Sequence, residues 1–189
     1  MGVRTPTFEE LAAKQAITEI IHRYCRGMDR MDREITLSCW HPGGTDEHAP
    51  LFSGTAEGFV EWLWPVHATM RVTRHVVSNI LIDLDLANGR AASETYWSLV
   101  LRIPRGGQDY DTIAGGRYLD RFECIGGIWG IRHRTSILDI DRVEPVLKTM
   151  ADFTDPLIEA NNPETVPPRW ARDRTDHSYQ FIARLSDND

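Results

Sequence analysis

The stretch YCRGMDRMDRE delivers two aspartates, Asp29 and Asp32, where an amphipathic pattern runs out. An acid near a helix C-terminus faces the negative end of the helix dipole, so Asp29 calls for a donor such as an imidazole N–H. His75, in TRHVVSNI, is a candidate imidazole, and strand alternation puts it on one face with Val77, Asn79 and Leu81. An imidazole among such neighbours is either a satisfied structural group or a base whose tautomer is set by a partner. Asp32 reads instead as the cap of a short following helix. Tyr24, at the same helix end, could donate to a developing oxyanion or be a core aromatic with a bonded hydroxyl.

Other chemistry-bearing residues carry weaker signals. His41, Asp46 and His48 lie in HPGGTDEH, whose spacing does not converge ligands, so no metal site is expected. The glycine pairs sit in turns rather than in a GxGxxG loop, which gives no support to nucleotide binding. Arg134 and Arg132 fall in WGIRHR and are expected on one strand face. A guanidinium in a closed pocket would stabilise a phenolate, enolate or halide; the commoner outcome is an ion pair across the sheet, here with Asp120 or Glu94. Trp40, Trp62, Trp64, Trp97 and Tyr96 read as core, and any that line a cavity favour a planar aromatic ligand.

The elements that must place these residues follow from periodicity. Thr7 and Glu10 form a capping-box pattern, behind which Ile17, Ile20, Ile21, Tyr24 and Met28 recur at helical spacing, so a helix is expected from Phe8 to Met28. Asp32 then opens a second helix reaching Trp40, stopped by Pro42 and Gly43-Gly44, and a polar link carries Asp46 and His48. A third helix opens at Thr55 and carries Phe59, Val60, Leu63 and Val66, with Pro65 kinking or ending it. Four strands follow, HVVSNILIDLD, RAASETYWSLVLRI, DYDTIAGGRYLDRFEC and IWGIRHRTSILDID, joined at Asn88-Gly89, Gly106-Gly107 and Gly126-Gly127. Short links make neighbours antiparallel, which gives an α+β fold: three N-terminal helices covering a curved antiparallel sheet and enclosing a cavity. The domain is expected over residues 1–143. Residues 144–189 form an extension, with short helices at DPLIEA and DHSYQFIARL, that packs on the pocket mouth or on a neighbouring subunit.

Composition narrows the classes. The chain has 189 residues, 41% hydrophobic and 26% charged, as expected of one folded globular domain. A net charge of -7 with no basic stripe argues against a nucleic-acid surface. No apolar run is long enough to span a bilayer, and the first residues lack the apolar core of a signal peptide, so no membrane partner and a cytoplasmic location are expected. Cys25, Cys39 and Cys124 lack CxxC spacing and read as reduced, buried thiols.

In order along the chain, YCRGMDRMD, CWHPGGTDEH, TRHVVSNILIDLD, GRYLDRFE and GIWGIRHR resemble the SnoaL-like branch of the nuclear transport factor two-like superfamily, over about Thr7 to Asp141. The resemblance implies an α+β cone with a deep apolar cavity. Members include scytalone dehydratase, hexachlorocyclohexane dehydrochlorinase, polyketide cyclases and lyases acting on lignin-derived aromatic dimers. It also implies a dyad in which Asp29 orients His75 as a base, with Tyr24, Arg134 and His48 as further catalytic candidates and Asn79, Trp64, Tyr96 and Trp40 as substrate contacts. The expected activity is that of a cofactor-independent lyase: proton abstraction from a bulky aromatic compound, such as a lignin-derived diaryl propane, with loss of water or formaldehyde. A polyketide cyclase or ketosteroid-type isomerase is the enzymatic alternative. A ligand-binding module or the small subunit of a ring-hydroxylating oxygenase is the non-catalytic one. Such folds commonly form homodimers or homotrimers.

Overall fold

The computed structural model describes residues 2, 4–149 and 170–186. Helix α1 (Phe8–Asp29) starts as its capping box dictates: Thr7 Oγ1 accepts the Glu10 amide at 3.2 Å and Glu10 accepts the Thr7 amide at 2.7 Å. It buries Ile17, Ile21, Tyr24 and Met28. Its end is fixed by a Schellman turn, in which the Asp32 amide donates to Gly27 O at 2.9 Å and the Met31 amide to Met28 O at 3.3 Å. Met31 takes the left-handed position of that turn, with φ at 48°. Asp29 is thus the last helical residue, and Asp32 at once caps α2 (Arg33–Leu37) by accepting the Ile35 amide at 3.1 Å.

Strand β1 (Trp40–His48) and β2 (Phe52–Thr55) precede α3 (Ala56–Ala68). Then come β3 (Val72–Asp85), β4 (Arg90–Arg105), β5 (Gln108–Ile125) and β6 (Ile128–Pro145), and α4 (His177–Ser186). The curved, unclosed sheet has six strands in the order β2-β1-β6-β5-β4-β3. All four expected strands and three covering helices are present, and β6 runs two residues past the expected domain limit. DPLIEA lies outside the described residues.

Two sequence expectations give way in this first half. The second helix ends at Leu37 rather than Trp40, and the stretch expected as a polar link is strand β1. That strand pairs antiparallel with β2 and parallel with β6, so the sheet is antiparallel except at this one pairing. Its register shifts between Trp40 and Thr45, which takes Pro42, Gly43 and Gly44 out of regular pairing and hides the strand from pattern reading. In α3 the helix continues through Pro65 to Ala68, since losing one amide on an exposed face removes a single helical bond.

The core lies where α1 and α3 cover the sheet: Ile17, Ile21, Phe59 and Val60 pack with Trp97, Tyr118, Phe122 and Ile131. Burying each such side chain contributes about 1.5–3 kcal/mol relative to exposure.

Gly27 has a structural reason that helix propensity misses. A Cβ there would lie 2.8 Å from the Thr36 backbone nitrogen, so the glycine lets α2 fold back against α1. Gly27→Ala improves intrinsic helicity by about 1 kcal/mol yet forces backbones apart at about 1–3 kcal/mol. Urea unfolding should therefore show a net loss of stability.

Candidate active site

Asp29 and His75 meet. The carboxylate at the end of α1 accepts the His75 backbone amide at 3.0 and 3.1 Å, and its Oδ1 lies 2.6 Å from His75 Nδ1. Both side chains are largely shielded, with 5% exposure for His75 and 15% for Asp29. An ionised carboxylate only accepts, so Nδ1 is the donor of this bond, and in a neutral imidazole Nε2 then keeps its lone pair. Nε2 makes no hydrogen bond among the described residues. The pair lines a cleft of about 420 Å³ with His22, Cys25, Arg26, Arg30, Val76 and Val77. That volume falls within the range of small-molecule sites.

Behind the pair the interior is filled by an aromatic and ionic stack. Tyr24 is buried, its ring centre 6.5 Å from that of His75 and 5.4 Å from that of Trp40. The Arg134 guanidinium lies 4.1 Å from the ring centres of both Tyr24 and Tyr118. It also makes two 2.7 Å hydrogen bonds to Asp120, with both side chains fully enclosed. Burial opposes its charge, but Asp120 outweighs burial and holds the guanidinium pKa well above its ordinary value. Burial pushes the Tyr24 hydroxyl pKa up as well, so it stays protonated. Arg134 therefore braces the sheet instead of lining the cleft, and Tyr24 is a core aromatic lying between that brace and the imidazole.

Several expected site residues lie elsewhere. Strand β3 carries a bulge between Ser78 and Leu81, with Asn79 at φ 48°, and the extra residue reverses the alternation. Asn79 and Leu81 consequently face solvent, while Ile80, Ile82 and Leu84 pack on the core. Tyr96 is 43% exposed on the outer face of β4, because its neighbours Thr95 and Trp97 take the inward positions. Trp64 packs on the core from α3, and Trp40 is buried beside Tyr24; neither lines the cleft. His48 is on β1, with Nδ1 bonded to Asp46 and its ring stacked 4.4 Å from that of Phe59. Arg132 does not share the face of Arg134, since a second bulge separates them; it bonds Pro42 O at 2.9 Å and pairs with Glu123.

Two residues near the pair carried no sequence signal. His67, in the last turn of α3, is buried, and desolvation, followed by the charges of His75 and Arg172, drives its pKa down to about 3, so it is neutral at physiological pH. Arg172 donates to His67 O and Met70 O, each at 2.6 Å, and to Thr73 Oγ1 at 3.3 Å. It comes from the C-terminal segment, which also docks Arg174 at 3.0 Å and the Tyr179 hydroxyl at 2.8 Å on Asp32. Among the described residues no three His, Cys, Asp or Glu side chains form a group that could hold a metal, and no helix is long and apolar enough to cross a membrane.

A helix-covered curved sheet of this order has the NTF2/cystatin-like fold. Residues 9–135 match the family model of the SnoaL-like domain, and the chain belongs to that family. Similar solved structures include a candidate scytalone dehydratase from Novosphingobium aromaticivorans, at 22% identity and TM-score 0.62 over 70% of this chain and 87% of that one. Another is the hexachlorocyclohexane dehydrochlorinase LinA-type3 from Novosphingobium barchaimii, at 16% identity and TM-score 0.62 over 77% and 97%. A third is a candidate aromatic ring hydroxylase from Novosphingobium aromaticivorans, at 14% identity and TM-score 0.61 over 76% and 97%. At these identities they establish the fold. No curated protein matches the sequence.

Asp120→Ala would leave the Arg134 charge buried without its partner and should cost about 3–5 kcal/mol in urea unfolding. The C-terminal segment should respond to acid. Burial raises the Asp32 carboxyl pKa, but Arg174, the Ile35 amide and Tyr179 outweigh it and hold it below its ordinary value. Asp176 is likewise held low against burial, by Ser178, the Ala171 amide and Arg30. Depressed folded values make docking strongest above the free carboxyl pKa of about 3.9 and weaker as pH falls below it. Exchange protection of the Ala171 and Ser178 amides, which donate to Asp176, should drop over that acid range.

Proposed function

We propose that the chain is a cofactor-independent lyase in which His75 is the general base and Asp29 its orienting acid. The observation that carries this reading is the 2.6 Å contact from Asp29 to His75 Nδ1, which leaves Nε2 unbonded in a residue lining the cleft. Nε2 takes a proton from carbon or from a hydroxyl of the substrate, Asp29 stabilises the imidazolium, and the bond to a leaving group breaks as the electrons are released. For loss of water, the electron pair on carbon expels a neighbouring hydroxyl, which takes the proton back from the imidazolium. For loss of formaldehyde, the deprotonated hydroxymethyl group breaks its C–C bond and the released pair expels a hydroxyl on the adjacent carbon, again as water with the imidazolium's proton. Membership of the SnoaL-like family and the likeness to dehydratase and dehydrochlorinase structures support a reaction of this kind.

The substrate class we favour is a bulky aromatic compound, with lignin-derived diaryl propanes as the first to try. Arg134 and Tyr24 are not needed to touch it. An isomerase would use the same proton abstraction and return the proton to another carbon, so product analysis separates the two.

Aromatic dimers bearing a hydroxymethyl side chain should be screened for released formaldehyde and for alkene products. His75→Ala should lower turnover by about 10²–10⁴-fold, the usual contribution of a positioned base. Asp29→Asn should keep the fold and also lower kcat, through the imidazole tautomer. Turnover that survives His75→Ala intact would refute the assignment.

A further inference from the structure

We propose that Arg172, delivered by the C-terminal segment, is a positioning residue of the Asp29–His75 pair. The proposal rests on reading that pair as the reacting site. Arg172 does not hold the imidazole itself; it holds the corner of the chain from which His75 projects.

The guanidinium spans the join between α3 and β3. Nη1 reaches His67 O and Met70 O, both at 2.6 Å, and Nη2 reaches Thr73 Oγ1 at 3.3 Å. His67 O already accepts the Met70 amide at 3.1 Å, and a carbonyl at a helix C-terminus also carries partial negative charge, so a cation there is favourable. Thr73 is two residues before His75, on the same face of β3. The strand is therefore held at two successive points leading into the imidazole's attachment: by Arg172 at Thr73 and by Asp29 at the His75 amide.

The segment carrying Arg172 is tied to the other half of the pair. Arg174 bonds Asp32 at 3.0 and 3.2 Å, Tyr179 bonds Asp32 at 2.8 Å, and Asp176 pairs with Arg30 at 3.3 Å. Arg30 and Asp32 lie one and three residues after Asp29, in the turn that ends α1. One stretch of chain thus fastens both the helix end bearing the acid and the corner leading to the base. A shift of about 1 Å between such groups can cost about 10²-fold in rate, so cross-bracing of this kind acts on function and not only on stability. The residue type matters too. A planar guanidinium can reach three acceptors at once, whereas a lysine ammonium supplies the charge without the fork.

The direct readout is the low-field proton resonance of the His75 ring N–H bonded to Asp29, which reports the pair whether or not a substrate is known. Arg172→Ala, with native circular dichroism, should lose that resonance to exchange, and millimolar guanidinium should restore it. Arg172→Lys should weaken it as well; this variant carries the test if Arg172→Ala does not fold. A resonance identical to wild type in either folded variant would overturn the proposal. With a substrate in hand, kcat should fall in Arg172→Ala while KM stays close to wild type; equal kcat would also overturn it. Loss of the resonance in a protein that turns over none of the screened compounds would uphold the positioning role and count against the lyase reading.

Discussion

The arrangement depends on a single carboxylate bound twice by the same residue. Asp29 accepts both the amide and the ring N–H of His75, so one side chain sets the position of a strand and the tautomer of an imidazole. Backbone anchoring removes translational slack, and the ring bond removes rotational slack. An acid held against the unfavourable end of a helix dipole is stable there because these two donors satisfy it. Everything around the site serves that contact: the Schellman turn that ends α1 at Asp29, the glycine that lets α2 fold away, and the corner that starts β3.

A division of labour separates the pair from the interior behind it. The Arg134–Asp120 pair is sealed from solvent and packed between Tyr24 and Tyr118, where its electrostatics act on the sheet. A buried pair of this kind brings little net stability over an apolar replacement, but losing either member is costly. Its consequence for the site is rigidity. Tyr24 cannot move without disturbing the brace, and the imidazole beside Tyr24 inherits that constraint.

Much of this was legible in the sequence because it depends on local rules. The capping box, the helical spacing of Ile17, Ile21, Tyr24 and Met28, and the glycine pairs between long strands each follow from short stretches. So did the prospect of Asp29 meeting His75, once the order of motifs was compared with a family. What failed was whatever depends on a register shift: β1 read as a link because a bulge absorbs Pro42, Gly43 and Gly44, Asn79 read as inward because a bulge follows Ser78, and Arg132 was placed with Arg134 for the same reason. Arg172 was illegible for another cause. Its partners are mostly backbone carbonyls far away in sequence, and carbonyls leave no mark on composition or periodicity.

The bulge at Asn79 divides β3 into two halves with opposite phase. Before it, odd-numbered side chains such as Thr73 and His75 point inward; beyond it, even-numbered ones such as Ile82 do. The half of the strand that carries His75 is thereby uncoupled from the packing half. Residues beyond the kink can drift to suit the hydrophobic interior without rotating the imidazole, and deleting Asn79 would remove the kink and restore plain alternation with Ile80 and Ile82 still turned inward.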